Sequence, residues 1–429
     1  MLGPGLSLEQ APPFSVPLRF FLTAPLFLIA AGLGAALFPD WTAAPLIPAT
    51  LALTHLLTLG FLGMAMLGAM SQMLPVVAGA PLPGVRGVAW VSHLGLLLGT
   101  PLLALGLYGG QTVWLAVGSI LLGLGLLVFL GAVGLALMRA QASDTTQAMR
   151  LAAFTLVVTL FLGLGMASWL IGFWMPETPL DWLASHVLWG LGGWVGILVM
   201  GSAWQVVPML QLTPPYPPRL TRWLWRAMLL ALPLATLPPG PWNRAGQWLA
   251  ALALIAFAVT TLRLQGQRKR KLADVTLDFW RIGMVCLIAA ALLAIGHSLQ
   301  ALPEAGILLA GLLFLIGFAV SVVTGMLYKI VPFLAWFHLQ ARAGFKPGQP
   351  NMRDYLPEAR ARGQFRLHLA ALLCLLAAPF LPPLALPGGL LLSASAAWLG
   401  WNLRRAVRLY QQAGAAVNSN RGMSLSFRF

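Results

Sequence analysis

Acidic side chains are scarce in this chain: ten Asp and Glu stand against 26 Lys and Arg. Charge of either sign is thin, at 8% of residues, while hydrophobic residues reach 59% and mean hydropathy is +0.85. A soluble domain of 429 residues has no use for that much apolar surface. Carboxylates are nearly missing from the apolar stretches, which argues against a proton- or sodium-coupled transporter. No P-loop and no G-x-S-x-G with triad partners occurs, so nucleotide and hydrolytic chemistry have no carrier. Cysteine is limited to Cys286 and Cys374, both inside apolar stretches. They read as small hydrophobes, with no disulfide and no thiolate metal site. The first sixteen residues lack a basic cluster, so the first apolar stretch reads as a retained helix with residues 1–16 as a cytoplasmic tail. Alternating ten-residue segments of a β-barrel are absent.

What is present is apolar length. Twelve stretches are long enough to cross about 30 Å of hydrocarbon as helices. They fall near 18–38, 47–75, 88–108, 112–138, 151–174, 182–210, 221–238, 245–265, 277–300, 305–337, 364–383 and 385–408. The expected fold class is all-α: a polytopic membrane protein whose main partner is the lipid bilayer. The net charge of +16 invites a nucleic-acid reading, but its distribution does not. One set of loops carries Arg86, Arg139, Arg150, Arg219, Arg222, the run Arg268-Lys269-Arg270-Lys271, the loop 339–363 and Arg404, Arg405 and Arg408. The other set carries Asp40, Glu177, Asp181, Glu304 and a single arginine, Arg244. This is the positive-inside pattern of a bacterial-type inner membrane, with both termini cytoplasmic and no nucleic-acid role.

The stretches divide into three pseudo-repeated four-helix units, 17–139, 150–271 and 277–410, with a cytoplasmic tail at 411–429. The second stretch of each unit carries one frame: Gly60, Gly68, Gln72, Pro75; Gly193, Gly201, Gln205, Pro208; Gly317, Gly325, Lys329, Pro332. Arg19, Arg150 and Arg281 open the three units. Membrane folds with internal repeats place their sites between small-residue or broken helices on the repeat axis. The glycines read first as packing positions. Gln72, Gln205 and Lys329 then form a candidate polar pore, and Lys329 has a competing reading as a residue that snorkels to the interface.

All six histidines fall in or at the ends of apolar stretches. His55, His186 and His297 share the periplasmic third; His93, His338 and His368 share the cytoplasmic ends. An intramembrane imidazole is a candidate ligand for haem iron or copper, and its plain alternative is an interhelical hydrogen bond. Agreement in depth makes His55, His186 and His297 the candidate cofactor and metal ligands, while the cytoplasmic three read as interfacial. Met66 and Met73 share the His55 stripe at helical spacing, with Met70 beside them, and thioether plus imidazole suits Cu(I). Methionine is equally a filler of irregular cores. Trp189, Trp194 and Trp204 either stack on a flat macrocycle or face lipid.

This architecture resembles subunit I of the haem–copper oxidases, and the second stretch is similar to the NnrS family of twelve-span haem- and copper-containing membrane proteins. The carrying residues are His55-Leu56-Leu57-Thr58-Leu59-Gly60 through Leu74-Pro75, then Gly79-Ala80-Pro81-Leu82-Pro83-Gly84, with Arg19-Phe20-Phe21 before them. The resemblance implies haem b with His55 as a low-spin ligand, and His186 at a copper-ligand position. The chain departs from it where an oxidase carries further histidines, in its seventh and tenth stretches, and it has only His55 where NnrS-like proteins show His-x-His-Glu. A full oxygen-reducing binuclear centre is therefore not expected. The expected roles are respiratory electron transfer, with a quinol or a cytochrome as partner, or nitric oxide or metal-stress protection. The alternatives are a transporter for copper or a small solute, and a cofactor-free assembly component that joins an oxidase subunit.

Overall fold

Leucine, alanine and glycine runs without strand alternation fold as helix throughout. The computed structural model describes residues 8–269, 272–301, 303–344 and 349–426, and no strand occurs among them. Arg270 and Lys271 of the basic run, Pro347 and Gly348 of the long loop, residues 1–7 of the expected tail and residues 427–429 lie outside the described residues. Twelve helical rods follow one another: α1 Ser15–Leu37, α2 Pro48–Ala78, α3 Val85–Gly109, α4 Thr112–Arg139, α5 Asp144–Leu170 and α6 Pro179–Gln211. Then come α7 Pro218–Ala235, α8 Pro241–Gly266, α9 Val275–Ser298, α10 Ala305–Arg342, α11 Glu358–Ala377 and α12 Ala385–Ser426. Ten are long and apolar enough to cross a membrane. The other two, α7 and α11, fall short because arginines crowd their first turns (Arg219, Arg222 and Arg226; Arg360, Arg362 and Arg366). The chain is thus a helical, polytopic membrane protein.

Local chemistry sets the helix ends. Prolines at Pro48, Pro179, Pro218 and Pro241 start four rods, where a missing N–H costs nothing. Ser143 and Thr146 form a capping box on α5: the Ser143 hydroxyl accepts from the Thr146 N–H at 3.1 Å, and the Thr146 hydroxyl accepts from the Ser143 N–H at 2.8 Å. Gly79, at φ 60°, ends α2 in the left-handed region that glycine alone adopts freely. Two expectations shift. Helix enters the loop expected at 339–363 from both sides: the last helix of α10 keeps its ladder through Ala343, and α11 starts at Glu358. The expected tail from 411 instead prolongs α12 as helix through Ser426, consistent with its alanines.

Small residues fix the packing, as lipid offers no hydrophobic drive for helices to meet. A methyl on Gly95 would sit 2.9 Å from the Gly125 Cα, so α3 and α4 touch backbone to backbone. Ser393 of α12 donates to the Ile29 carbonyl of α1 at 2.9 Å, and Gly32 and Gly389 abut beside it. The first and last rods are therefore neighbours. Inside, α2, α6 and α10 together line a narrow cavity of about 80 Å³.

Those three inner rods share a feature that no other rod shows among the described residues. Each opens as an α-helix, widens into a π-helix and returns to α: Leu56–Gly63 in α2, Leu188–Ile197 in α6 and Leu313–Val320 in α10. π-Helix is rare, well under about 1% of residues in folded proteins, and recurs at functional sites. Every one of these segments has its frame glycine near the middle: Gly60, Gly193 and Gly317. These glycines also admit close neighbours, Phe27 of α1, Thr155 of α5 and Cys286 of α9 respectively. The segments of α2 and α10 pack on each other.

Candidate cofactor site

The lead-in helix of α2 ends on His55, and that of α6 ends at Val187, one residue after His186. Both histidines thus sit in the last α turn before a π segment. Their rings lie 6.2 Å apart between centroids and are 22° from parallel. His55 Nδ1 lies 2.7 Å from the Leu51 carbonyl, one turn back in its own helix. His186 Nδ1 lies 3.0 Å from the Thr159 carbonyl of α5. A carbonyl only accepts, so Nδ1 carries the proton in each ring and Nε2 keeps its lone pair. Metal-ligating histidines are held in just this way, with one nitrogen tied and the other presented.

Room for the His186 ring comes from α5. A Cβ on Gly163 would stand 2.9 Å from the His186 Cε1, so only glycine leaves the ring its place. Gly165, two residues on, makes the same allowance for the Trp182 ring. Neither glycine stands out in the sequence, where they read as two more small residues of an apolar helix. The bare glycine face of α5 opposite a histidine was the only available signal.

Both imidazoles line a cavity of about 1180 Å³ at the arginine-poor end of the bundle. Its walls are largely leucine, alanine and glycine, with Trp182 and Trp194 among them. The polar groups are a minority and mostly hydroxyls, with Asp181, Asn243 and Gln247 beside them. No lysine or arginine lines it, although Arg244 follows Asn243 directly on α8. A concave, apolar chamber with a few convergent polar groups is the form a small-molecule or cofactor site takes.

His297 is placed differently. It lines the same cavity from the last turn of α9, as an exposed side chain at the rim. Among the described residues no three His, Cys, Asp or Glu side chains gather closely enough to hold one ion. The depth argument thus brings three histidines to one chamber and two of them together.

Met66 and Met73 do not share that chamber; they line the narrow axial cavity, with Met70. The shared stripe assumed an unbroken step of about 100° per residue. The eight π residues between His55 and Met66 turn by less per step, so the methionines rotate off the histidine face. The polar-pore residues also part company. Gln72 is buried, with its Oε1 unpartnered, and Gln205 is half-buried. Lys329 donates to Asp274 at 2.8 Å, across to the residue that caps α9. Its charge is therefore locally neutralised. The unit-opening arginines are equally unlike: Arg19 stacks 4.1 Å over Trp90, Arg150 donates to the Leu137 carbonyl at 2.8 Å, and Arg281 is exposed.

Two histidines at the arginine-rich end hold interhelical hydrogen bonds through Nε2, while His93 Nδ1 and His338 Nε2 are buried without a partner. Thr23 gives its hydroxyl proton to the Arg19 carbonyl, so His93 Nε2–H donates to the Thr23 oxygen at 2.9 Å. Ser321 likewise donates to Ile316, and His368 Nε2–H donates to the Ser321 oxygen at 2.8 Å. His338 stacks on Phe14. Trp189 lies buried, edge-on to Phe154, and Trp204 is buried with its indole nitrogen unpartnered. Cys286 and Cys374 are both free thiols. No family model and no curated protein matches the chain.

Proposed function

We propose that this chain is an inner-membrane metalloprotein of haem–copper-oxidase-like design that holds haem b between His55 and His186, with copper as a second candidate occupant. Its role on this reading is respiratory electron transfer, with a quinol or cytochrome as partner, or protection against nitric oxide or metal stress. The reading includes twelve spans in three four-helix units, both termini cytoplasmic, and a cavity that opens toward the periplasm.

The observation that carries it is the pair of free Nε2 atoms. Of the four histidines with a ring nitrogen bonded in the bundle, His93 and His368 spend Nε2, while His55 and His186 spend Nδ1. The volume of about 1180 Å³ and the apolar walls suit a macrocycle. Arg244, which follows the cavity-lining Asn243 in sequence, is the single arginine expected at that end. Haem, when bound, supplies one-electron chemistry. The protein residues fix the two imidazoles, keep their tautomers and exclude water. Between Gly317 and Pro332 α10 carries no histidine for a second haem–copper centre.

An optical spectrum of the purified protein tests the proposal. The expected result is a Soret band that is lost in His55→Ala and in His186→Ala and kept in His338→Ala. A protein that purifies folded with neither a Soret band nor a bound metal would refute it.

A further inference from the structure

Three arginines of α7 share one outward face and lack a counter-charge. Arg219, Arg222 and Arg226 recur at three- and four-residue spacing, which puts them on one side of the helix. All three are exposed, and Trp223 stands among them at 65% exposure. Arg226 lies about two turns inside the rod, its guanidinium 5.2 Å from the Trp225 ring and 5.9 Å from the Trp223 ring. Among the described residues none of the three meets a carboxylate. The acid at that seam is spent: Asp144 accepts from the Thr221 hydroxyl at 2.7 Å and from the Trp225 indole at 3.4 Å. Arg362, as far from the start of α11 as Arg222 is from the start of α7, is instead held by Asp278 and Glu358. One turn beyond Arg226 the same face of α7 becomes apolar, with Leu229 and Leu230 exposed and Leu224 and Met228 buried opposite.

We infer that this face binds one anionic phospholipid, with its phosphate on the three arginines and an acyl chain along Leu229 and Leu230. Cationic and apolar parts follow one another down the face in the order of an amphiphile's own two ends. A guanidinium is a planar fork of donors that matches phosphate oxygens, and it keeps its charge at any depth. An unpaired arginine inside a span is costly, and an anionic headgroup offsets that cost. Indoles beside it belong at headgroup level. The positive-inside pattern needs arginines in loops; it does not need three on one helical face. A water-soluble anion would meet the charges but leave the leucines unused. The site rests on the twelve-span reading, in which α7 stands in the bilayer. It is independent of haem, since it shares no residue with the histidine chamber.

Native mass spectrometry of the full-length protein in non-ionic detergent tests this, with phosphatidylglycerol and phosphatidylcholine titrated in parallel. One phosphatidylglycerol should stay bound under conditions that strip phosphatidylcholine. Each arginine changed to glutamine should weaken it by about five-fold, and Arg219→Gln/Arg222→Gln/Arg226→Gln should bring it to the phosphatidylcholine level. Arg226→Lys keeps the charge without the fork, so it should lose less than Arg226→Gln, which separates binding from misfolding. Arg360→Gln/Arg366→Gln removes charge from α11, where the two side chains lie about 120° apart around the helix, and should change nothing. Excess inorganic phosphate should not displace the lipid. Equal retention of the two lipids, unchanged affinity in the triple variant, an equal loss in the α11 variant, or displacement by inorganic phosphate would overturn the site. A separate readout checks the placement of α7: Leu230→Cys should resist a membrane-impermeant maleimide even in opened membranes. Ready labelling there would sink the twelve-span reading, and this site with it.

Discussion

At the scale of single residues, the hydrogen-bonded histidines differ in which ring nitrogen they spend. His93 and His368 give Nε2 to a hydroxyl, while His55 and His186 give Nδ1 to a backbone carbonyl and keep Nε2 without a protein partner. Gly163 is the silent partner in this arrangement. Gly163→Ala puts a methyl against the His186 ring, which must swing away. The expected cost in stability is about 1–3 kcal/mol, as for other overpacked positions. The larger effect should be a fall in the Soret-to-protein absorbance ratio, with Gly165→Ala as the comparison because its added methyl meets Trp182 instead. The histidines were legible in the sequence because polar residues at a common depth in apolar helices are conspicuous. Gly163 was not, because its contact joins two helices that no one-dimensional pattern relates. Lys329 was legible as an oddity, but its partner Asp274 lies on another rod, 55 residues away.

At the scale of elements, the π segments decide what the inner helices present. They sit between the histidine turn and the methionine stripe of α2, so one rod serves two cavities with two faces. Deleting Leu191 from the π segment of α6 should let that stretch revert to α. His186 would then change its facing relative to the rest of the rod, because nine α steps replace ten narrower ones. The expected outcome is a protein that still inserts and purifies as a folded species, with the Soret band gone; retention of the band would show that the wide turn does not aim the histidine. Sequence reading found most rods within a few residues, since apolar length is additive and survives local irregularity, but it missed the C-terminal run of α12 through Ser426. It missed the π turns because Leu-Trp-Gly-Leu-Gly-Gly has no composition that separates a wide turn from an α turn. The frame glycines marked the place without revealing the geometry.

At the scale of the whole molecule, charge and chamber lie at opposite ends. Arginines crowd one end, and the cavity with its two histidines opens at the other. Single cysteines at Glu177 and Ala142, both exposed and at opposite ends, check the orientation. Glu177→Cys should react with a membrane-impermeant maleimide in intact cells, and Ala142→Cys only after the membrane is opened. The reverse pattern would put the chamber in the cytoplasm. The membrane class was plain from hydropathy alone, while the contact between α1 and α12 was not, because nothing in a linear pattern says which rods at its two ends meet.

That contact has a consequence for biogenesis. Gly32 and Gly389 lie against each other, although α1 leaves the ribosome several hundred residues before α12 is made. The glycine groove of α1 must wait in the bilayer, covered by acyl chains. Lipid tolerates that wait because an apolar groove costs little when its surroundings are equally apolar. Closure of the bundle is thus a late exchange of lipid for helix.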